Sequence, residues 1–371
     1  MSPYPVKYPR KTLMRYVYKI LSRIALRLLT RPQVIGRENF PKHGPLILAG
    51  NHVGLMEVVM LIAYAPYNVE IIGTGDIPIE PKFAKLADSY SFIAINRGNI
   101  DRQAIYSAAG VLKQNGVLGV FPEGGIWDPG AMRSRGGVAL ISMMGDAPVI
   151  PIGFSGAHLA LKRVLSFKFP KLLMRIGEAI PAMPEGDSLA SRKQRMEDFT
   201  ELITQKIQEL LPPDEQHREP GRDEEQHSLV IDLVDRDGLS HRTPDVIAVK
   251  DCQSLAKFLN QPIFVDILEN NLKRHVEGLK NLGSLKDPVE VGQSVRTVLT
   301  YLEENPGFIT YRMGMEAGVQ VKGCLEDLLK LSEFAEEQQM VLKFDLTYTY
   351  SDRGNGQQVT LKNGRQLEKP F

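Results

Sequence analysis

The chain has 371 residues, 43% hydrophobic and 24% charged, with a formal net charge of +1 and a mean hydropathy of −0.17. That length allows two domains, and the composition is ordinary for a globular protein. The two cysteines, Cys252 and Cys324, lie far apart and near no histidine cluster, which excludes a disulfide framework or a cysteine-rich zinc site and fits a reducing compartment.

The near-neutral total hides an asymmetry. Residues 1–31 carry eight basic side chains and no acid. Leu13, Val17, Ile20, Leu21, Ile24 and Leu28 line one helical face there, while Arg15, Lys19, Arg23 and Arg27 recur every fourth position. No apolar run reaches the roughly 18–20 residues of a membrane span. The pattern predicts a basic amphipathic helix lying on an anionic membrane surface; the plainer reading is a helix packed on the next domain with its basic face solvated.

From residue 32 to 211, short apolar runs alternate with helical patterns. Strands are expected at 45–49, 69–73, 92–95, 117–121, 148–153 and 172–176, and helices at 55–64, 81–89, 102–114, 134–144 and 189–211. This alternation predicts an α/β domain, a mostly parallel sheet flanked by helices, with the ligand outside the carboxyl ends of the strands. Residues 212–227 are polar, charged and proline-bearing, and read as a linker.

Residues 228–371 form a smaller α+β segment. Three helices over 291–334, with a tight turn at Gly318, precede a hairpin of 340–350 and 357–361, and residues 291–371 resemble a winged-helix module. That stretch has nine basic and eleven acidic residues, a balance that argues against nucleic acid as its partner. A protein contact or self-association is expected instead.

Chemistry concentrates just past two of the expected strands. Asn51-His52-Val53-Gly54-Leu55-Met56-Glu57 puts an imidazole and a carboxylate five positions apart, the pairing that general-base activation of an alcohol needs. Five residues span about 500° of an ideal helix, so His52 is expected in the turn before the helix. Arg97 follows a strand at Asn96-Arg97, where a guanidinium suits a phosphate. Phe121-Pro122-Glu123-Gly124-Gly125 places an acid in a proline–glycine turn, and its glycines admit close approach of a ligand.

The four blocks, Asn51-His52-x4-Glu57, Phe92–Arg97, Phe121–Gly124 and Val149–Ile152, resemble those of the glycerolipid acyltransferases of the lysophosphatidic-acid acyltransferase type, over about residues 31–211. The resemblance implies transfer of a fatty acyl group from a thioester, acyl-CoA or acyl-carrier protein, to the hydroxyl of a lysolipid. No cofactor and no metal are implied. His52 would be the general base beside Glu57, Arg97 would meet the acceptor phosphate, and Glu123, Gly124 and Gly125 would form the acceptor site. Glu57 stands where the family usually has aspartate. The cation usual after Gly124 is missing, with Arg133 and Arg135 placed to replace it. The implied location is peripheral, at the cytoplasmic face of a membrane. The rival expectation is a catalytically weak lipid-binding scaffold with a C-terminal interaction module.

Overall fold

Two units, each with its own sheet and core, make up the chain: residues 1–75 with 82–219, and residues 220–371. The computed structural model describes residues 4–366 apart from 75–80, 96–100, 125–135, 159, 186–188, 217–221, 245–247, 250–251, 261–267, 269–275, 353–357 and 364.

In the first unit the elements run α1 (Thr12–Leu29), β1 (Arg31–Ile35), β2 (Leu46–Gly50), α2 (Met56–Tyr64), β3 (Val69–Thr74), α3 (Pro81–Tyr90), β4 (Ile93–Ile95), α4 (Arg102–Leu112), β5 (Val117–Val120), α5 (Gly137–Gly145), β6 (Val149–Ser155), α6 (Ala160–Leu165), β7 (Lys171–Ile176) and α7 (Leu189–Glu209). The sheet order is β1-β7-β6-β2-β5-β3-β4. Strands β6, β2, β5, β3 and β4 are parallel; β7 runs against β6 and pairs in parallel with β1. The mostly parallel sheet expected from the sequence is present, and the strand β1 and helix α6 are additions to it.

Every residue of β2 is buried, as in a parallel sheet covered on both faces. Leu46 and Leu48 face one core with Leu26 of α1 and Met60 and Leu61 of α2. Ile47 and Ala49 face the other core, with Ala108 of α4, Ile141 of α5 and Ile203 of α7. Neighbouring strands β2 and β5 therefore send their following helices to opposite faces. That is the topological switch point, where the crevice of an open α/β sheet lies.

Helix α1 packs on the domain in an orientation that hydropathy did not predict. Arg15 is buried, Lys19 and Arg23 are half-buried against the domain, Arg27 is exposed, and much of the apolar stripe faces outward. Arg15 is 4% exposed and Glu70 of β3 is fully buried. Arg15 donates Nη1 to Glu70 Oε1 at 2.5 Å and Nη2 to Oε2 at 2.8 Å, its guanidinium 4.6 Å from the Tyr90 ring centre. Arg10 adds a second contact to the same carboxylate at 2.8 Å. Arg23 Nε donates to the Ala63 carbonyl at 2.5 Å. Burial, with Arg23 beside it, brings the Lys19 ammonium down to about 8. Leu13, Leu21 and Leu28 are 78%, 55% and 67% exposed. Hydropathy alone could not supply this orientation, because the acid that draws Arg15 inward lies 55 positions away on a strand.

The expected linker also changes. Glu215 accepts from Ser155 Oγ at 2.8 Å and from Gly156 N at 3.1 Å, so residues 212–216 belong to the first unit. Residues 222–227 open a strand of the second.

The second unit contains β8 (Arg222–Val234), β9 (Ser240–Arg242), α8 (Cys252–Leu259), β10 (Leu285–Lys286), α9 (Pro288–Glu304), α10 (Gly307–Met313), α11 (Met315–Glu337), β11 (Val341–Asp352), β12 (Gln358–Lys362) and β13 (Arg365–Gln366). The order β13-β12-β11-β8-β9 is antiparallel throughout, with β10 also beside β11. Three helices followed by a hairpin recover the expected order, but the hairpin is no free wing. β11 lies inside the sheet, because the apolar alternation Leu229, Ile231, Leu233 of β8 buries against the same core as Phe344 and Leu346. The tight turn sits at Gly314, at φ 93°, whereas Gly318 lies inside α11.

Candidate active site

β2 ends at Gly50, and Asn51 locks the chain that follows. Its side chain donates to the Phe154 carbonyl at 2.9 Å and accepts from the Phe154 amide at 2.7 Å, fastening the end of β2 to β6. Gly50 permits this approach, since a Cβ there would lie 2.6 Å from the Phe154 ring. His52 comes next, before α2 begins, which removes the 500° objection raised by helical spacing.

Glu57 lies in the first turn of α2 and is fully buried. Its Oε1 accepts from the amides of Val53 at 2.5 Å and Gly54 at 2.7 Å. Those donors and the positive end of the helix offset part of the solvation that burial removes. The same oxygen is 3.5 Å from His52 Nδ1. This is an ion-pair distance, longer than a made hydrogen bond; catalytic hydrogen bonds commonly tighten only in the substrate complex. The longer glutamate side chain is what lets the carboxylate reach back over these residues.

β5 supplies the opposite wall. The Phe121 ring stacks on the imidazole, with centres 4.4 Å apart and planes at 25°. Phe121-Pro122-Glu123-Gly124 is a tight turn closed by Gly124 N to Phe121 O at 2.9 Å, with Gly124 at φ 66°. Glu123 points into the protein, 1% exposed, and its Oε1 accepts from the His52 amide at 3.0 Å. Burial pushes this carboxyl up to about 8; the His52 N–H works against that shift, and the Glu57 charge adds to it.

A histidine backed by a carboxylate, stacked on an aromatic ring and held at the switch point can accept a proton on its remaining nitrogen, Nε2. Comparisons with known proteins point to an acyltransferase. The acyltransferase family profile matches residues 31–155. The chain is 25% identical over 189 residues to the 1-acyl-sn-glycerol-3-phosphate acyltransferase of Bacillus subtilis (strain 168), covering 51% of this chain and 92% of that protein. It is 25% identical over 183 residues to the protein of the same name from Borreliella burgdorferi, covering 48% and 70%. Residues 31–155 thus carry an acyltransferase domain, and the chain is similar over about half its length to 1-acyl-sn-glycerol-3-phosphate acyltransferases. Among solved structures, a 1-acyl-sn-glycerophosphate acyltransferase from Thermotoga maritima is similar at 19% identity and a TM-score of 0.39, over 55% of this chain and 84% of that one.

The fold of the first unit brings together four of the eight residues singled out in the sequence: His52, Glu57, Glu123 and Gly124. Arg97, Gly125, Arg133 and Arg135 lie outside the described residues. Glu123, expected at the acceptor, is buried and its Oε1 accepts from the His52 backbone amide. Asn51 and Phe121 belonged to the quoted blocks but carried no assigned role. Their contribution depends on partners more than thirty residues away, which local sequence does not reveal.

Proposed function

We propose that the first unit transfers a fatty acyl group from a thioester to the hydroxyl of a lysophospholipid of the 1-acylglycerol-3-phosphate class, with His52 as general base. The observation that carries this reading is the His52–Glu57 pair at the switch point, with Nδ1 3.5 Å from Oε1. Glu57 faces Nδ1, so it favours the tautomer with a proton there and leaves Nε2 to act. The acceptor oxygen attacks the thioester carbonyl carbon while its proton passes to Nε2. The tetrahedral intermediate collapses, the C–S bond breaks, and the imidazolium returns the proton to the leaving sulfur. No acyl-enzyme is needed. The Glu57 carboxylate stabilises the imidazolium while it lasts.

Glu123 acts through His52. By holding the His52 amide it fixes the backbone that presents the ring, and Phe121 limits the ring's rotation. Arg97, Arg133 and Arg135 are the cations that chemistry would assign to the acceptor phosphate. The donor is acyl-CoA or acyl-carrier protein.

The exposed apolar stripe of α1 is the surface we assign to the bilayer. Among the described residues no helix is long and apolar enough to cross a membrane, so contact would be peripheral and, with a thioester donor, at the cytoplasmic face. Arg15, Lys19 and Arg23 bind the helix to its domain, while Arg27 stays exposed. The second unit, acidic over residues 291–371, is assigned to a protein contact.

The test is to incubate the purified chain with acyl-CoA or acyl-carrier protein and a panel of lysophospholipids, then identify products by mass spectrometry. A diacyl product from a lysophosphatidic acid is expected. Absence of product with every donor would overturn the enzyme reading in favour of a lipid-binding scaffold.

A further inference from the structure

Between α6 and β7 the chain reads Leu165-Ser166-Phe167-Lys168-Phe169-Pro170, and three large apolar side chains face outward. Leu165 is 72% exposed, Phe167 71% and Phe169 44%. Main-chain bonds fix the turn: Ser166 N and Lys168 N donate to Arg163 O at 3.2 and 2.9 Å, and Phe167 N donates to Val164 O at 3.0 Å. Val164 and Pro170 on either side are buried and anchor it. Phe167 and Phe169 both occupy the left-handed region, at φ 53° and 42°, which is unfavourable for bulky residues. These rings add nothing to the domain's own core.

Their place in the fold is specific. β7 runs against β6, so its first residue, Lys171, lies at the end of the sheet where β6 finishes, the end that carries His52. A Cβ on Gly156 would stand 2.2 Å from Lys171 O, and one on Gly54, in the turn of the catalytic pair, 3.0 Å from Ala157 O. The base of the loop therefore abuts the chain that packs on the site. Arg31 N donates to Pro170 O at 2.9 Å, which joins the loop to the end of α1 close to exposed Leu28. From Ala160 to Lys171 the sequence holds Lys162, Arg163, Lys168 and Lys171 and no acid. Aromatic and aliphatic residues interspersed in sequence with basic ones match the interface of an anionic bilayer.

We infer that the Leu165–Phe169 loop is a second bilayer-inserting element, continuous with the apolar face of α1 and set at the active-site end of the sheet. This rests on the membrane reading of α1. The loop would keep that end against the lipid, so that a lysolipid reaches His52 without leaving the membrane surface entirely. Charge complementarity and continuity with α1 favour a bilayer over a protein as its occupant.

The test is flotation of the full chain with vesicles of phosphatidylcholine alone and mixed with phosphatidylglycerol. The loop variant combines Leu165→Ser, Phe167→Asn and Phe169→Asn; asparagine tolerates the left-handed backbone, so this variant is expected to fold with an undiminished melting temperature. Its partitioning onto the mixed vesicles should fall roughly tenfold or more, with its rate on a short-chain, monomeric lysolipid kept within about twofold. A parallel variant carries Leu21→Ser, Ile24→Ser and Leu28→Ser in α1. If the α1 variant loses binding and the loop variant does not, the loop inference is overturned while the membrane reading stands. If the unmodified chain binds neither vesicle, the membrane reading fails and this inference with it. A lipid-free dimer that the loop variant dissociates would overturn the inference in favour of a protein interface.

Discussion

Replacing Glu123 with glutamine separates a positioning role from contact with substrate. Glu123 is 1% exposed, and burial pushes its carboxyl from the ordinary 4.5 to about 8. Between those values the folded protein keeps a proton that the unfolded chain has lost. The stability that this group contributes is therefore fully present below about pH 4.5 and is lost as pH rises through about 8. The slope is about 1.4 kcal/mol per pH unit, so on the order of 4 kcal/mol is lost between about pH 5 and 8. For a unit of this size that corresponds to a fall of roughly 10 °C in melting temperature. Glutamine has no proton to lose and can still accept the His52 N–H. Calorimetry of both proteins across this range should show the wild type losing stability relative to Glu123→Gln as pH rises, with little change in the acceptor KM near neutrality. Glu123→Ala leaves the His52 amide unpaired, costs about 1–3 kcal/mol, and should lower kcat. Melting curves that stay parallel from about pH 5 to 8, or a large rise in acceptor KM in Glu123→Gln, would refute the reasoning.

At Glu57, glutamine can still accept from the Val53 and Gly54 amides but cannot stabilise an imidazolium, so kcat should fall roughly 10²-fold or more with the melting temperature nearly kept. Aspartate retracts the carboxylate by about 1.5 Å; steady-state kinetics should show lower kcat, and urea titration a loss of about 1–3 kcal/mol from the vacated amides. Glu70→Ala strands the Arg15 guanidinium, 4% exposed, without its partner. It should cost about 3–5 kcal/mol in denaturant unfolding, and a loss below about 1 kcal/mol would contradict the burial of that pair.

The sequence makes the α/β domain legible because parallel strands buried on both faces leave continuous apolar runs, as Leu46–Gly50 and Val117–Val120 do. β1 escapes such reading: its residues alternate between exposed and half-buried at a sheet edge. His52 and Glu57 can be paired from their spacing, since both lie on one turn and helix start. The inward direction of Glu123 cannot, because it is set by the packing of β5 beside β2. The same limit explains α1. Its periodicity is plain in Val17, Ile20, Leu21 and Ile24, yet which face turns inward depends on Glu70, supplied by the far side of the sequence. In the second unit the apolar alternation of Leu229–Val234 signals a strand, but its partner β11 lies about a hundred residues downstream, so the sheet could not be drawn from local pattern.

The most direct measurement is the initial rate of diacyl-lipid formation by His52→Ala beside the unmodified chain, with folding checked by calorimetry. Loss of the general base should cost roughly 10²–10⁴-fold in kcat with a melting temperature close to wild type. Product at an undiminished rate from a folded His52→Ala protein would contradict the account.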